Sequence, residues 1–206
     1  EMELITATEL FRAAQQVLSS VVAERRRLPD QVFEKEFQRY YLIDFDEIYT
    51  RAFFGRILKM NAQLGGGPFY FSVIDPDPRH YFFQHFGKYS LLRIEPADSA
   101  DEFIRKLGED PGGSPADAIL HNSNIVAFFP LSGVWAVYGD RQLGVAIVAL
   151  ASGASMLDFG SFYPTERLFS VEEAINDLMH DAYPRGVPDS FRSKFRRNYG
   201  IARVVR

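Results

Sequence analysis

The densest group of side chains able to do chemistry is Asp75-Pro76-Asp77-Pro78-Arg79-His80, with His85 five residues further on. Carboxylates beside imidazoles bind divalent ions or exchange protons with a substrate, so Asp75, Asp77, His80 and His85 are the candidate catalytic residues. The same residues have a structural reading, and it carries more weight. Asp77 followed by Pro78 is how a helix begins, with aspartate at the N-cap and proline in the first turn, and a five-residue step does not put both imidazoles on one helical face. A second group, Trp135, Tyr138, Asp140 and Arg141, belongs to a hairpin whose tip could present a charged pair beside an amphipathic aromatic, a combination suited to a protein interface. Its structural reading is a core tryptophan in a central strand with ordinary Gly-Asp turn chemistry. A third group is basic: Arg192, Lys194, Arg196 and Arg197 surround Phe191, Phe195 and Tyr199, which are four apart and form an aromatic stripe on a helix. Either the stripe docks on the body and leaves the cations in water, or the segment is an arm for a partner or for phosphate.

Familiar catalytic signatures are missing, which leans the reading away from an enzyme. The sequence has no phosphate-binding glycine loop followed by lysine, no dinucleotide fingerprint after a strand, no nucleophile elbow and no paired-histidine metalloprotease motif. The glycines 65–67 follow a helix and precede a strand, the wrong order for cradling phosphate at a helix N-terminus. With no cysteine, disulfides, thiolate nucleophiles and Cys-based zinc sites are excluded, so any metal would rely on four histidines and the carboxylates. No metal site and no cofactor is assigned.

The elements that must position these residues follow from periodicity. Thr6 and Glu9 have capping-box spacing, and Leu10, Phe11, Ala14, Val17, Leu18, Val21 and Val22 share one helical face, which predicts a helix fraying at Arg25 to Arg27 before Pro29. Val32 to Ile43 leaves two readings open, with Tyr40 to Ile43 a strand or the end of a short helix. A cap at Asp44 predicts a helix to about Leu64. Phe69 to Ile74 and Tyr89 to Glu95 read as strands, the second with one wet face. Ser99 and Glu102 open a helix that Gly108 ends, and a short helix, 116–121, leads into a strand over Ile125 to Phe129. Val134 to Tyr138 and Leu143 to Leu150 are apolar on both alternating faces, joined by Gly139-Asp140-Arg141-Gln142 as a hairpin turn, so they belong at the sheet centre. Ser170 and Glu173 cap a helix with the core stripe Val171, Ala174, Ile175, Leu178 and Met179, and a last helix starts near Asp189. Hairpins and helices without regular strand-helix alternation predict an α+β fold: a largely antiparallel central sheet of about five or six strands, covered by helices, with helices at both ends. Residues 1–188 read as one domain and 189–206 as a basic helix and tail.

Charge is uneven. Residues 1–184 carry 16 basic and 26 acidic side chains, a net of −10, whereas 185–206 carry 7 and 1, a net of +6. An acidic body would repel phosphate, which disfavours nucleic acid as a partner. The longest apolar stretches fall short of the ~20 residues that span a bilayer, and no secretory pattern opens the chain, so a cytoplasmic protein away from membranes is expected. The run Trp135-Ala136-Val137-Tyr138-Gly139-Asp140-Arg141, followed by the apolar strand Leu143 to Leu150, resembles a pattern in small bacterial immunity-type proteins and neighbouring uncharacterised families. That resemblance implies a cytoplasmic protein that neutralises a toxin by binding it, often through an acidic surface, and it implies no catalytic residue. The leading expectation is therefore a non-catalytic protein-binding module, with an acid-base or metal-dependent enzyme using Asp75 to His85 as the alternative. The oligomeric state is open.

Overall fold

A computed structural model describes residues 2–151, 159 and 162–200. Six strands form one antiparallel sheet in the order β1-β6-β5-β4-β2-β3: β1 Arg39–Asp44, β2 Phe69–Asp75, β3 Leu91–Ile94, β4 Ile125–Pro130, β5 Trp135–Asp140 and β6 Val145–Leu150. Helices cover it, so the class is α+β. Every residue of β4, β5 and β6 is buried. Because side chains alternate across a strand, such a strand needs an apolar layer on each face. Trp135 and Val137 point into one core, Ala136 and Tyr138 into the other, and the neighbouring strands repeat this period of two.

The first face is covered by α2 (Arg51–Gln63), which contributes Phe53, Phe54, Ile57 and Met60, and by the helix Ala100–Leu107. The second is covered by the C-terminal half of α1 (Thr8–Val21), by the segment 28–37 and by the helices Val171–Glu173 and Asp189–Tyr199. Each sheet edge is partly paired, which reduces its row of bare N–H and C=O groups. Leu4 bridges to Leu92 on the β3 side, and Leu42 of β1 bridges to Phe169.

Several boundaries differ from the sequence reading, each for a local reason. Leu4 and Ile5 are tied to the β3 edge, so the chain stays extended until Ala7 and α1 begins at Thr8, without the Thr6 cap. It also ends earlier, at Val21, because Val22 bridges to Phe33; Leu10 is left exposed. Tyr40 to Ile43 are strand. Asp44 caps a 3-10 turn, Phe45–Tyr49, and Thr50 is the cap of α2, accepting from the Phe53 amide at 3.1 Å. Only a 3-10 turn, Pro115–Asp117, stands where the short helix was expected. At Ser99 the serine half of the predicted box is present, but the Glu102 carboxylate accepts from the Met2 amide at 2.6 Å instead. Ser170 and Glu173 form the full reciprocal box.

The hairpin turn is also shifted. Gly139 and Asp140 are the last residues of β5, and the turn is Arg141 to Gly144. Gly144 takes the left-handed position at φ +68°, open to glycine without steric cost, while Gly139 lets the Phe45–Tyr49 turn pack on the strand. A Cβ at Gly139 would lie 3.0 Å from both Ile48 and Phe45.

One buried polar side chain joins three parts of the first layer. Asn61 donates to the Gly67 carbonyl at 2.8 Å and accepts from the Trp135 indole N–H at 3.2 Å. Removing it strands the buried Trp135 indole N–H and the half-buried Gly67 carbonyl, and a stranded group costs about 1–3 kcal/mol. Asn61→Ala is therefore expected to lower unfolding free energy by about 2–4 kcal/mol in denaturant titration; a loss under about 0.5 kcal/mol, the size of an ordinary surface change, contradicts this role.

Candidate functional site

A cleft of about 510 Å³ opens at the end of the sheet where β2 and β5 finish and β4 and β6 begin. One row of the strand ladder runs Asp75, Ile125, Asp140, Val145. A β-bulge between Val73 and Asp75 shifts the register, so that Asp75 stands opposite Ile125 and joins Asp140 on the second face. Two strand spacings separate the aspartates, about 10 Å between backbones. Arg27 and Leu28 enter from the segment after α1, and Ala182 and Tyr183 from the chain that follows the helical run 171–178.

Each charged group in the cleft is held by its own neighbours. The Asp75 carboxylate accepts from the Asn124 side chain at 3.1 Å, and its carbonyl accepts from the Asn124 amide at 2.7 Å. Asp140, only 5% exposed, accepts from the Leu143 amide at 3.1 Å. Burial pushes its carboxyl up from the ordinary aspartate value, against the Leu143 amide and the Arg27 charge, which pull it down. Arg27 spends one terminal nitrogen on the carbonyls of Glu24 and Arg26. Arg141 is more heavily committed: it donates to the Ser123 carbonyl at 2.8 Å, the Leu120 carbonyl at 2.7 Å and the Ser123 hydroxyl at 3.1 Å, and it lies over the rings of Phe45 and Tyr49. Behind Asp140, Tyr138 is fully buried, its hydroxyl facing the Arg27 guanidinium without a well-formed hydrogen bond. Burial and the Asp140 charge push that phenol up. Two anions and two cations thus line one cleft, and among the described residues none is within 4 Å of an opposite charge from this set. Such a lining has the means for ion pairing and hydrogen bonding.

The structure joins residues that the sequence reading kept in separate groups. Asp75 from the first meets Asp140 and Arg141 from the second. Trp135 is fully buried on the opposite face, and Tyr138 and Asp140 lie inside β5, so the hairpin tip does not present an aromatic beside a charged pair. Asp77 acts as a cap, accepting from the backbone of Arg79 at 2.8 Å and of His80 at 3.3 Å, while Arg79 grips it with two further bonds. Partial burial alone would raise its carboxyl; the Arg79 bonds outweigh that and hold it below the usual value. His80 is exposed and 3.7 Å from Asp77, and both line a neighbouring cleft that shares Arg27 and Asp75 with the first. His85 is outside both clefts, edge-on to Tyr81. Among the described residues no three His, Asp or Glu side chains gather where they could hold a metal ion. Arg27, Asn124 and Tyr183 escaped the sequence reading because they come from segment ends with no shared spacing.

In the last helix, Phe191, Phe195 and Tyr199 are buried in the second core, and the Tyr199 hydroxyl accepts from the Val32 amide at 2.9 Å. Lys194 pairs with Asp30, Arg196 with Glu172, and Arg192 donates to Asn176 at 3.1 Å. Arg197 is exposed; residues 201–206 of the tail lie outside the described residues.

No family model, curated protein or solved structure matches this chain. Among the described residues no helix is long and apolar enough to cross a membrane.

The cleft costs stability, with a definite pH dependence. Native Asp140 binds its proton more tightly than unfolded Asp140, whose ordinary value is near 3.8. Below that pH both states are protonated and the cost vanishes; as pH rises through the native value, it appears in full. Asp140→Asn keeps an oxygen for the Leu143 amide, so the variant is expected to be more stable than the parent at neutral pH and level with it below the ordinary aspartate range. Thermal unfolding across this range checks it, and a variant less stable at neutral pH than in acid, relative to the parent, contradicts it.

Proposed function

We propose that the chain is a non-catalytic protein-binding module of the toxin-neutralising kind, acting in the cytoplasm on a basic partner protein. One observation carries the reading. The outward side of the helical run from Val171 onward displays Glu172, Glu173 and Asp177, with Asp181 just beyond, while Val171, Ala174 and Ile175 face the core. This acidic face leads directly into Ala182 and Tyr183 of the cleft wall. Asp177 and Asp181 are exposed, and the 2.9 Å contact of Asp181 with the adjacent, exposed His180 lies at the surface, so a basic partner can reach both carboxylates. The net −10 of residues 1–184 supplies the long-range attraction that speeds such an encounter. The resemblance of 135–150 to immunity-type proteins agrees with this reading.

The test pairs the purified chain with the products of adjacent genes, measured by calorimetry and by rescue of growth. The expected result is a complex with one such product, weakened at least about tenfold by the double variant Asp177→Lys, Asp181→Lys and weakened further by salt. Failure to bind or neutralise any adjacent product, or a complex indifferent to both reversals, contradicts the proposal.

A further inference from the structure

The cleft at the sheet end has a second property, independent of the partner reading. We propose that it is a binding site for a small zwitterion, a molecule bearing a primary ammonium and a carboxylate, such as a free amino acid. The ammonium would sit towards Asp140 and Asp75, and the carboxylate towards Arg27.

Three observations converge on this chemistry. The first is charge placement: Asp140 forms part of the buried wall and Asp75 is half-buried, whereas Arg27 is exposed. Opposite charges that share a cleft usually close on one another. Here each is pinned by a local partner, Asp140 by the Leu143 amide, Asp75 by Asn124 and Arg27 by two carbonyls, so the charges stay apart along the cleft lining. A visitor carrying both signs satisfies both ends at once, with little of the ordering cost that a flexible site incurs. The second observation is the Tyr138 hydroxyl, buried behind Asp140 and outside the cleft lining, which faces the Arg27 guanidinium without a well-formed hydrogen bond. Buried polar groups in folded proteins almost always have a partner, and phenylalanine would fill the same space without the stranded group. The third is size, since about 510 Å³ lies within the range of small-molecule sites. A cation alone would face Arg27 as a like charge, and an anion alone would face two carboxylates.

The experiment is an NMR titration of the full chain, following the backbone amides of Asn124, Asp140, Gln142 and Leu143. The probes are glycine, L-alanine and γ-aminobutyrate, with methylammonium and acetate as the separated halves. At least one zwitterion is expected to shift these amides saturably at millimolar concentration, with each half binding at least about tenfold more weakly, because one charge-assisted contact is lost in each. Asp140→Asn and Arg27→Gln are each expected to weaken the zwitterion by a similar factor, while retained dispersion of the remaining amides shows that the variants fold. The proposal is overturned if no zwitterion shifts the cleft amides, if methylammonium or acetate alone binds as well as the zwitterion, or if either folded variant binds like the parent.

Discussion

The structure depends on one constraint: every residue of three adjacent strands, β4, β5 and β6, is buried and nearly all are apolar, so both faces of the sheet must be roofed. Phe128 and Val148 need cover on one side, and Phe129 and Ile147 on the other. α2 and the helix Ala100–Leu107 meet the first demand, and α1 with the two C-terminal helical segments meets the second. At roughly 25 cal/mol per Å² of apolar surface removed from water, the burial of these side chains is what chiefly holds the layers together. The edges then follow, since a sheet roofed on both sides remains open only at its ends and rims, and the rims are partly paired by Leu4 and Phe169.

The cleft occupies one such end. In an antiparallel sheet the last residue of one strand lies beside the first of its neighbour, so Asp75, Ile125 and Asp140 fall on one line although 65 residues separate the two aspartates. Without the bulge at Val73, Asp75 would face the other layer. The polar groups gathered there weaken the fold: a buried carboxyl pushed towards its neutral form and a buried phenol without a well-formed hydrogen bond are both less favourable than apolar residues of the same shape. A fold so well packed elsewhere tolerates that loss.

Much of the fold was legible in the sequence. The alternating apolar runs at 135–150 predict interior strands, and the Ser170-Glu173 and Asp77-Pro78 signals predict the local starts seen there. Errors arose where a distant contact overrode a local preference. The Thr6 cap is unused because Ile5 is bound to the β3 edge, and the hairpin turn moved two residues because Gly139 is needed for close packing rather than for turning. The site was legible only in pieces. Asp75, Asp140 and Arg141 could be picked out individually, but their meeting is set by strand order and a bulge, neither of which leaves a spacing to read.

The most direct test of the architecture is native-state hydrogen exchange. If the doubly roofed centre carries the stability, amides of β4, β5 and β6 exchange only through global unfolding, at one common free energy that matches denaturant titration, while those of β3 and of the 141–144 turn open earlier. Amides of β5 that exchange more readily than those of β3 would contradict the account.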